Sequence, residues 1–255
     1  MRPVLVAAAV TEEAAPLIAA METPATSSRG GRRITFGRIG PVPAAVIVTG
    51  PGMANTVQAL TAAIENDRPG LILQTGCAGA FAGVGLAVGD IGIAEREIDA
   101  QSGIEADSPG NPPDPLPFPI LERDGQRIFR DYPTDPDLCD RALLLLTGAM
   151  APAAVRKGPF VTVATVTATA DQAARLQNRF SSIMEAMEGA GAAHVAWHYQ
   201  IPFLEIRAAS NRVGPRDRNA WNLPLAFSRA AEAVCRLIRH MTWNDHRWKI
   251  RCNSD

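Results

Sequence analysis

Residues 183–217 read IMEAMEGAGAAHVAWHYQIPFLEIRAASNRVGPRD, and within them the pattern changes from helix to strand. The small residues after Glu188 predict a helix, and the β-branched and aromatic run over 201–210 predicts a buried strand. In α/β sheets, ligands bind beyond the carboxyl ends of the strands. We therefore expect Glu188 and Asn211 at that edge of a sheet. Glu188 stands between a methionine and small residues, so it needs a partner if it is buried.

The composition is that of one large α/β domain. The chain has 255 residues, of which 47% are hydrophobic and 20% charged, and this is enough for a full core. We expect a single domain over residues 1–243 and a frayed polar tail over 244–255. The net charge of −1 gives no overall field that would attract nucleic acid or an anionic membrane, so we expect neither as a partner.

The compartment is predicted from cysteine usage and from targeting signals. The four cysteines are scattered and have neither CxxC nor metal-binding spacing. The sequence begins with a strand pattern instead of a secretory leader, and no apolar run approaches the length of a membrane span. A reduced cytoplasm is therefore the expected location.

The beginning of the chain carries two acidic candidates. Residues 3–9, PVLVAAA, predict a buried strand, and Thr11 is expected to cap the helix that follows. Glu12 and Glu13 then occupy the first helical turn, where negative charge complements the helix dipole.

Three other stretches are expected to border the site. The glycines of LILQTGCAGAF, residues 71–81, allow backbone to lie against a ligand. Residues 50–52, GPG, predict a tight turn before a helix, in preference to an anion-binding loop. The Pro-rich segment 107–119, DSPGNPPDPLPFP, predicts a surface loop that either closes over the site or lies at a subunit interface. The alternating Thr and Val of residues 158–169 predict a further strand.

A family resemblance is carried by MEG followed by a small-residue helix and by PFLEIRAASN. These runs resemble the purine nucleoside phosphorylase and nucleosidase superfamily, and the longer run ASNRVGPRD, with MEAMEGAGAAHVA before it, is most similar to its futalosine hydrolases. The resemblance implies a three-layer α/β/α sandwich with a mixed central β-sheet. It also implies hydrolysis of the N-glycosidic bond of futalosine, with release of hypoxanthine, on a bacterial route to menaquinone.

The same resemblance implies roles for individual residues. Met187 and Glu188 are expected to bind the ribose, because a carboxylate can accept hydrogen bonds from two vicinal hydroxyls. Glu13 aligns with an acidic residue that positions the hydrolytic water, although a shift of one residue would give this role to Glu12. Asn211 is expected to bind the base, and either Asp217 or water is expected to supply its proton. The residues expected to line the base pocket are Gly79, Phe160, Val166 and Thr167.

The nucleophile is predicted from a departure from the phosphorylase pattern. Phosphorylases of this superfamily hold phosphate with an arginine and a serine in a pattern similar to Arg-x-Gly-Ser-x-Gly. This chain has Gln74 and Cys77 at those positions, so a phosphate dianion would lack its main counter-charge. Water is therefore the expected nucleophile.

Neither a metal nor a cofactor is expected. His194 and His198 have the i, i+4 spacing that can hold zinc, but no third ligand is evident and the glutamate of an HExxH motif is absent. We expect a small-molecule nucleoside as substrate and a homo-oligomer as the assembled state.

Two alternative functions are compatible with the resemblance. One is a 5′-methylthioadenosine or aminodeoxyfutalosine nucleosidase, which releases adenine and carries an aspartate where this chain has Asn211. The other is a catalytically silent protein that only binds nucleosides. Retention of both Glu13 and Glu188 argues against the silent protein, because binding alone requires no base for water.

Overall fold

A mixed β-sheet with helices on both faces forms the body of the molecule in the computed structural model, which describes residues 1–244 and 247–252. The strands are β1 Val4–Ala8, β2 Glu22–Arg29, β3 Arg32–Ile39, β4 Val42–Val48, β5 Leu71–Ala80, β6 Ile91–Asp99, β7 Leu121–Arg123, β8 Gln126–Ile128, β9 Asp131–Pro133, β10 Val155–Thr162, β11 Met184–Ala186, β12 Phe203–Arg212, β13 Met241–Asn244 and β14 Arg247–Ile250. The helices are α1 Thr11–Ala19, α2 Met53–Asn66, α3 Pro136–Ala149, α4 Ala170–Phe180, α5 Gly189–Tyr199 and α6 Leu223–Arg239, and a 3₁₀ turn spans Arg218–Ala220.

The order of the main sheet is β11-β10-β6-β12-β5-β1-β4-β3-β2, with β9 added to β6. β1 is parallel to β4 and β5, and β12 is parallel to β5 but antiparallel to β6. β11 pairs with β5 as well as with β10, so one end of the sheet closes on itself. A register shift in β12 between Ala209 and Asn211 lies in this closed region, where bulges commonly turn a strand. The mixed sheet is confirmed, and its closure is an addition to the expected architecture.

The helices form the two outer layers that the family resemblance implies. Apolar residues of α1, α3 and α6 share one core with the sheet, exemplified by Leu17, Leu146 and Leu237. Residues of α2 and α5 form the core on the opposite face, which includes Leu60 and Ala193. Small side chains let α5 lie close to its neighbours, because a Cβ on Gly191 would meet the backbone of Met53 at 3.1 Å.

The C-terminal segment corrects the prediction of a frayed tail. β13 and β14 form a hairpin, and the alternating residues Trp248 and Ile250 of β14 are buried in the main core. The indole Nε1 of Trp248 also donates to the carbonyl of Arg2 at 3.0 Å. The polar residues around these two concealed the apolar face of the strand. The rest of the predicted tail, residues 245–246 and 253–255, lies outside the described residues.

The strand predicted over residues 158–169 ends earlier, at Thr162. Beyond this point the backbone leaves the sheet, and its N–H groups donate to side chains. Ala164 N donates to Gln101 Oε1 at 2.8 Å, and Thr167 N donates to Glu185 Oε1 at 3.1 Å. The alternating Thr and Val pattern therefore continues into a loop, called here the 163–169 loop.

The Pro-rich segment 107–119 lies at the surface without helix or extended strand, and a single bridge joins Ile104 to Asp114. Among the described residues, no helix has both the length and the apolar character needed to cross a bilayer.

Candidate active site

A cavity of about 300 Å³ lies at the carboxyl ends of β5 and β12, the edge at which the sequence predicts a site. Its wall is mostly apolar and comes from the strand ends, the 163–169 loop and the segment before α6. The polar side chains that line it are Glu13, Thr167, Glu185, Glu188, Arg207, Ser210 and Asn211. Such a cavity can enclose an apolar ring system while a few polar groups fix its orientation.

Glu13 reaches the cavity from the first turn of α1 and is 4% exposed. Its Oε2 accepts a hydrogen bond from Ala9 N at 2.9 Å, and its Oε1 accepts one from Cys77 N at 2.9 Å. A Cβ on Gly76 would lie 2.4 Å from Oε1, and the φ of +143° at this residue also favours glycine. Glu12 is exposed, so the geometry selects Glu13 as the cavity residue.

The start of α1 corrects one detail of the prediction. Thr11 is the first residue of the helix, and Val10 occupies the preceding cap position. The Glu13 side chain, instead of a threonine hydroxyl, accepts from the free N–H groups there, because Val10 N also donates to Glu13 Oε2 at 3.4 Å.

Glu188 immediately precedes α5 and is held by two donors from distant parts of the chain. Gly52 N donates to its Oε1 at 2.9 Å, and Arg207 Nη2 donates to its Oε2 at 3.1 Å. The turn before α2 was predicted to be only a tight turn, but it binds an anion that the protein itself supplies. Each oxygen of Glu188 keeps a lone pair with which it can accept from a ligand.

Arg207 is fully buried beside this carboxylate. Its Nε donates to Glu205 Oε1 at 2.7 Å, and its Nη1 donates to the carbonyl of Cys77 at 3.1 Å. Burial lowers the pKa of Arg207, but attraction to the surrounding carboxylates outweighs burial and raises it above the ordinary value. The guanidinium is therefore a permanent cation at the floor of the site.

Sequence reasoning missed Arg207 and Glu205 as members of this site. A signal was present, because residues two apart on a strand point to the same face and the run Glu-Ile-Arg interrupts an otherwise apolar segment with two opposite charges.

Asn211 lines the cavity from the end of β12 with a defined amide orientation. Ser210 Oγ donates to Asn211 Oδ1 at 2.7 Å, and Asn211 Nδ2 donates to the carbonyl of Arg212 at 2.9 Å. The carbonyl of Arg212 can only accept, so the amide nitrogen must face it. One N–H of the amide remains for a ligand.

Glu185 is a further acid in the cavity that sequence reasoning did not select. Its two oxygens accept from Thr167, one from the backbone N–H and one from the hydroxyl. Burial raises the pKa of Glu185, although the hydrogen bonds from Thr167 act in the opposite direction. This contact holds the 163–169 loop against β11 and brings Val166 and Thr167 to the cavity.

Cys77 is a neutral thiol in this environment. Burial, and next the negative charge of Glu13, raise the pKa of Cys77 to about 12. Nucleophilic chemistry requires the thiolate, so Cys77 is unsuited to act as a nucleophile at neutral pH.

Seven of the nine predicted site residues line the cavity, and they are Glu13, Gly79, Val166, Thr167, Met187, Glu188 and Asn211. Phe160 and Asp217 lie elsewhere, which corrects the prediction. Phe160 is fully buried, and its ring packs with Met184 against Gly92. Asp217 is exposed and caps the 3₁₀ turn, because its Oδ1 accepts from Asn219 N at 3.0 Å.

The histidine pair of α5 is engaged within the fold. His194 Nδ1 shares a hydrogen bond of 3.1 Å with the Tyr132 hydroxyl, and the ring of His198 packs edge-on against Tyr199. Within the described part of the chain, no group of three or more His, Cys, Asp or Glu side chains has an arrangement that could hold a metal ion.

Comparison with known proteins shows which family this chain resembles. The family model described as the phosphorylase superfamily matches residues 3–242. The futalosine hydrolase of Thermus thermophilus is 32% identical over 191 residues, which cover 74% of this chain and 79% of that protein. The futalosine hydrolase of Acidothermus cellulolyticus is 34% identical over 196 residues, which cover 75% of this chain and 74% of that protein.

A solved structure of similar fold is the 5′-methylthioadenosine/S-adenosylhomocysteine nucleosidase of Neisseria meningitidis in complex with methylthio-immucillin-A. The TM-score is 0.79 at 22% sequence identity, and the match covers 94% of this chain and 99% of that chain. At this level of identity the similarity establishes the architecture.

Proposed function

The chain belongs to the phosphorylase superfamily, and we propose that it hydrolyses the N-glycosidic bond of futalosine, releasing hypoxanthine and dehypoxanthine futalosine on the futalosine route to menaquinone. Its similarity to two futalosine hydrolases over about three quarters of its length supports this activity. The observation that carries the proposal is that Glu13, Glu188 and Asn211 line one cavity.

The reaction requires an environment that stabilises positive charge on the sugar. Cleavage of an N-glycosidic bond leaves the ribose with oxocarbenium character and the base with negative charge. Three acidic side chains, Glu13, Glu185 and Glu188, line the cavity, and Arg207 is the single arginine or lysine among its described lining residues. Arg207 is already paired with Glu188 and Glu205, so the remaining charge favours a cationic transition state.

Glu188 is proposed to bind the ribose. Its two oxygens are fixed by Gly52 and Arg207, and the lone pairs that remain can accept from two vicinal hydroxyls. Met187 lines the cavity next to it and is proposed to pack against the sugar.

Glu13 is proposed to orient and deprotonate the attacking water. Backbone N–H groups hold both oxygens, and Oε1, which accepts from Cys77 N, has a further lone pair with which to accept from water. This carboxylate also occupies the N–H of Cys77, within the segment that holds phosphate in the phosphorylases. Repulsion between Glu13 and a phosphate dianion supports water as the nucleophile.

Asn211 is proposed to bind the departing base. Its free N–H can donate to the N7 or O6 atom of a 6-oxopurine, and Gly79, Val166 and Thr167 are proposed to contact the ring. Asp217 is used at the cap of the 3₁₀ turn, so we assign the protonation of the base to water.

The test is to incubate the purified protein with futalosine, inosine and 5′-methylthioadenosine, each with and without phosphate, and to identify the released base and sugar by mass spectrometry. We expect hypoxanthine and an unphosphorylated sugar from futalosine in both buffers. Loss of this activity in Glu188→Gln would show that it belongs to the cavity.

Two results would contradict the proposal. A sugar 1-phosphate formed in phosphate buffer would make the protein a phosphorylase. Release of adenine from 5′-methylthioadenosine at a rate equal to or above that of hypoxanthine from futalosine would favour the adenine-specific alternative. A cytoplasmic location and a homo-oligomeric state remain predictions from the sequence, and light scattering on the purified protein measures the second.

A further inference from the structure

Two buried glutamates lie behind the cavity and are not used by the proposed reaction. Glu97 on β6 and Glu205 on β12 are both fully buried, and neither lines the cavity. Glu205 binds Arg207, which in turn binds Glu188, so the pair is one step removed from the residue proposed to bind the ribose.

Each of these carboxyl groups has one oxygen with a donor and one without. Glu97 Oε2 accepts from Thr162 Oγ1 at 2.7 Å, and Glu205 Oε1 accepts from Arg207 Nε at 2.7 Å. Glu97 Oε1 and Glu205 Oε2 are buried and receive no hydrogen bond from a donor group of any other described residue. Both atoms lie against Gly189, where a Cβ would be 2.4 Å from the first and 2.3 Å from the second.

A single proton resolves this arrangement. If both groups were ionised, two like charges would meet in a dry interior and two buried oxygens would remain without partners. One proton between Glu97 Oε1 and Glu205 Oε2 gives both atoms a hydrogen bond. The proton belongs to Glu97, because Arg207 stabilises the ionised form of Glu205 whereas Glu97 has only the hydroxyl of Thr162.

We propose that Glu97 is protonated and donates a hydrogen bond to the ionised Glu205. This pair, with one negative charge, holds Arg207 in the position from which it binds Glu188. Glu97 and Glu205 are thus positioning residues that act through Arg207. The effect of this pair on catalysis rests on the proposed function, whereas the protonation of Glu97 does not.

The surroundings of Glu97 are consistent with a neutral acid. Burial, followed by the charge of Glu205, raises the pKa of Glu97 well above its ordinary value. Across β9, Tyr132 is its register partner and directs its hydroxyl to His194 on α5. The charged groups that act on Glu97 are both on β12, where Glu205 raises its pKa and Arg207 lowers it, and the hydrogen bond from Thr162 also lowers it.

Two isosteric variants test separately the neutral hydrogen-bond donor at Glu97 and the negative charge of Glu205. Glu97→Gln keeps a neutral donor toward Glu205, so kcat/KM for futalosine should stay within about threefold of the parent. Glu205→Gln removes the anion that holds Arg207, so KM should rise by about tenfold or more with a smaller change in kcat, because ribose binding is weakened in the ground state and the transition state alike. Glu95→Gln, an exposed change on the same strand, is the matched control and should alter neither quantity.

Infrared difference spectra test the proton without any substrate. The carbonyl band of a protonated carboxylic acid should be present in the parent at neutral pH, lost in Glu97→Gln and retained in Glu95→Gln. Stability provides a second readout. Because the folded pKa of Glu97 is raised, its contribution is fully present below the pKa of an unfolded glutamate and is lost as the pH rises through the folded value. Glu97→Gln should therefore become more stable relative to the parent as the pH increases.

The outcomes are distinguishable. An unchanged infrared band in Glu97→Gln, or a Glu97→Gln protein that is inactive while Glu205→Gln is unaffected, would overturn the assignment. If the band is lost in Glu97→Gln but neither the parent nor any variant cleaves futalosine, the protonation of Glu97 is confirmed and the proposed function is wrong.

Discussion

At the scale of single residues, Glu13 shows how one position along a helix separates a surface charge from a site residue. Glu13 is buried and lines the cavity, whereas its neighbour Glu12 points to solvent. Glu13→Gln keeps the size of the side chain but removes its basicity. We expect kcat to fall by about 10²-fold or more, the usual scale for loss of general-base catalysis, with substrate binding retained.

Glu12→Gln is the matched control for this measurement. It makes the same chemical change on the same helical turn and should leave steady-state kinetics unchanged. A Glu13→Gln protein of normal kcat would remove Glu13 from the reaction and require another base for water.

A second prediction at this scale rests on Asn211 and concerns which purine is cleaved. Its amide is oriented by Ser210 and Arg212 so that a donor remains for the base. The O6 atom of a 6-oxopurine can accept from this donor, whereas the amino group at the same ring position of the 6-amino analogue is itself a donor. A site that leaves a buried polar group unpaired can discriminate by about 10⁴-fold. We therefore expect a strong preference in kcat/KM for futalosine over its 6-amino analogue.

Asn211→Asp should erode that preference. The new carboxylate would accept from the amino group of adenine and would place its lone pairs against O6 of hypoxanthine. Asn178→Asp, an exposed change on α4, controls for the added charge. Equal rates of the parent protein on the two nucleosides would remove Asn211 as the selector.

The sequence predicts the site residues that belong to recognisable motifs, but it does not predict the buried residues that hold them in position. Glu188 and Asn211 are predictable because they directly flank a helix start and a strand end. Arg207 and Glu205 lie within an apolar strand, and their meaning depends on Glu97, which is 108 positions earlier than Glu205 in the numbering of the chain. Such a partnership requires β6 and β12 to be neighbours, and this pairing cannot be deduced from either strand alone.

At the scale of elements, the start of α5 is where the helix, the buried acids and the cavity meet. Gly189 has no Cβ to place there, because it would lie 2.3 Å from Glu205 Oε2 and 2.3 Å from the carboxyl carbon of Glu97. Gly189→Ala must therefore displace two buried carboxyl groups. We expect a loss of about 1–3 kcal/mol in the free energy of unfolding, the usual scale of overpacking, together with a lower kcat/KM.

Gly148→Ala is the control, since a Cβ on this helical glycine of α3 meets no other atom within 4 Å. Replacing a glycine within a helix should raise stability by about 0.5–1 kcal/mol. Urea unfolding of both variants measures the contrast. Equal stability of Gly189→Ala and the parent would mean that the two acids can move freely.

The 163–169 loop shows why a correct local pattern can predict the wrong element. Its alternating Thr and Val residues favour a strand, but β11 pairs with β10 only as far as Thr162. The donors beyond that point find acceptors on the side chains of Gln101 and Glu185. The competition is decided by tertiary partners that the segment itself does not encode.

At the scale of the whole molecule, closure of the sheet explains why the cavity has a continuous wall. β11 returns to pair with β5, so Glu185 lies opposite Gly79 and the elements carrying Glu13, Glu188 and Asn211 surround one space. The three-layer architecture was predictable from the family resemblance. The closure was not, because it depends on a strand of three residues, Met184–Ala186.

The C-terminal hairpin makes the last prediction, which separates global stability from the chemistry of the site. Trp248 is 3% exposed, packs edge-on against Trp243 with ring centroids 5.2 Å apart, and donates to the carbonyl of Arg2. Trp248→Ala leaves a large cavity and an unpaired carbonyl, so we expect the free energy of unfolding to fall by about 3–5 kcal/mol. Trp248 does not line the active-site cavity, and kcat/KM of the protein that remains folded should be unchanged.

Trp221→Ala makes the same chemical change in a residue that does line the cavity, so it should lower kcat/KM with a smaller loss of stability. Urea unfolding and kinetics at a temperature well below the transition give both quantities for each variant. If the free energy of unfolding of Trp248→Ala lies within about 1 kcal/mol of the parent value, the hairpin is not part of the cooperative core.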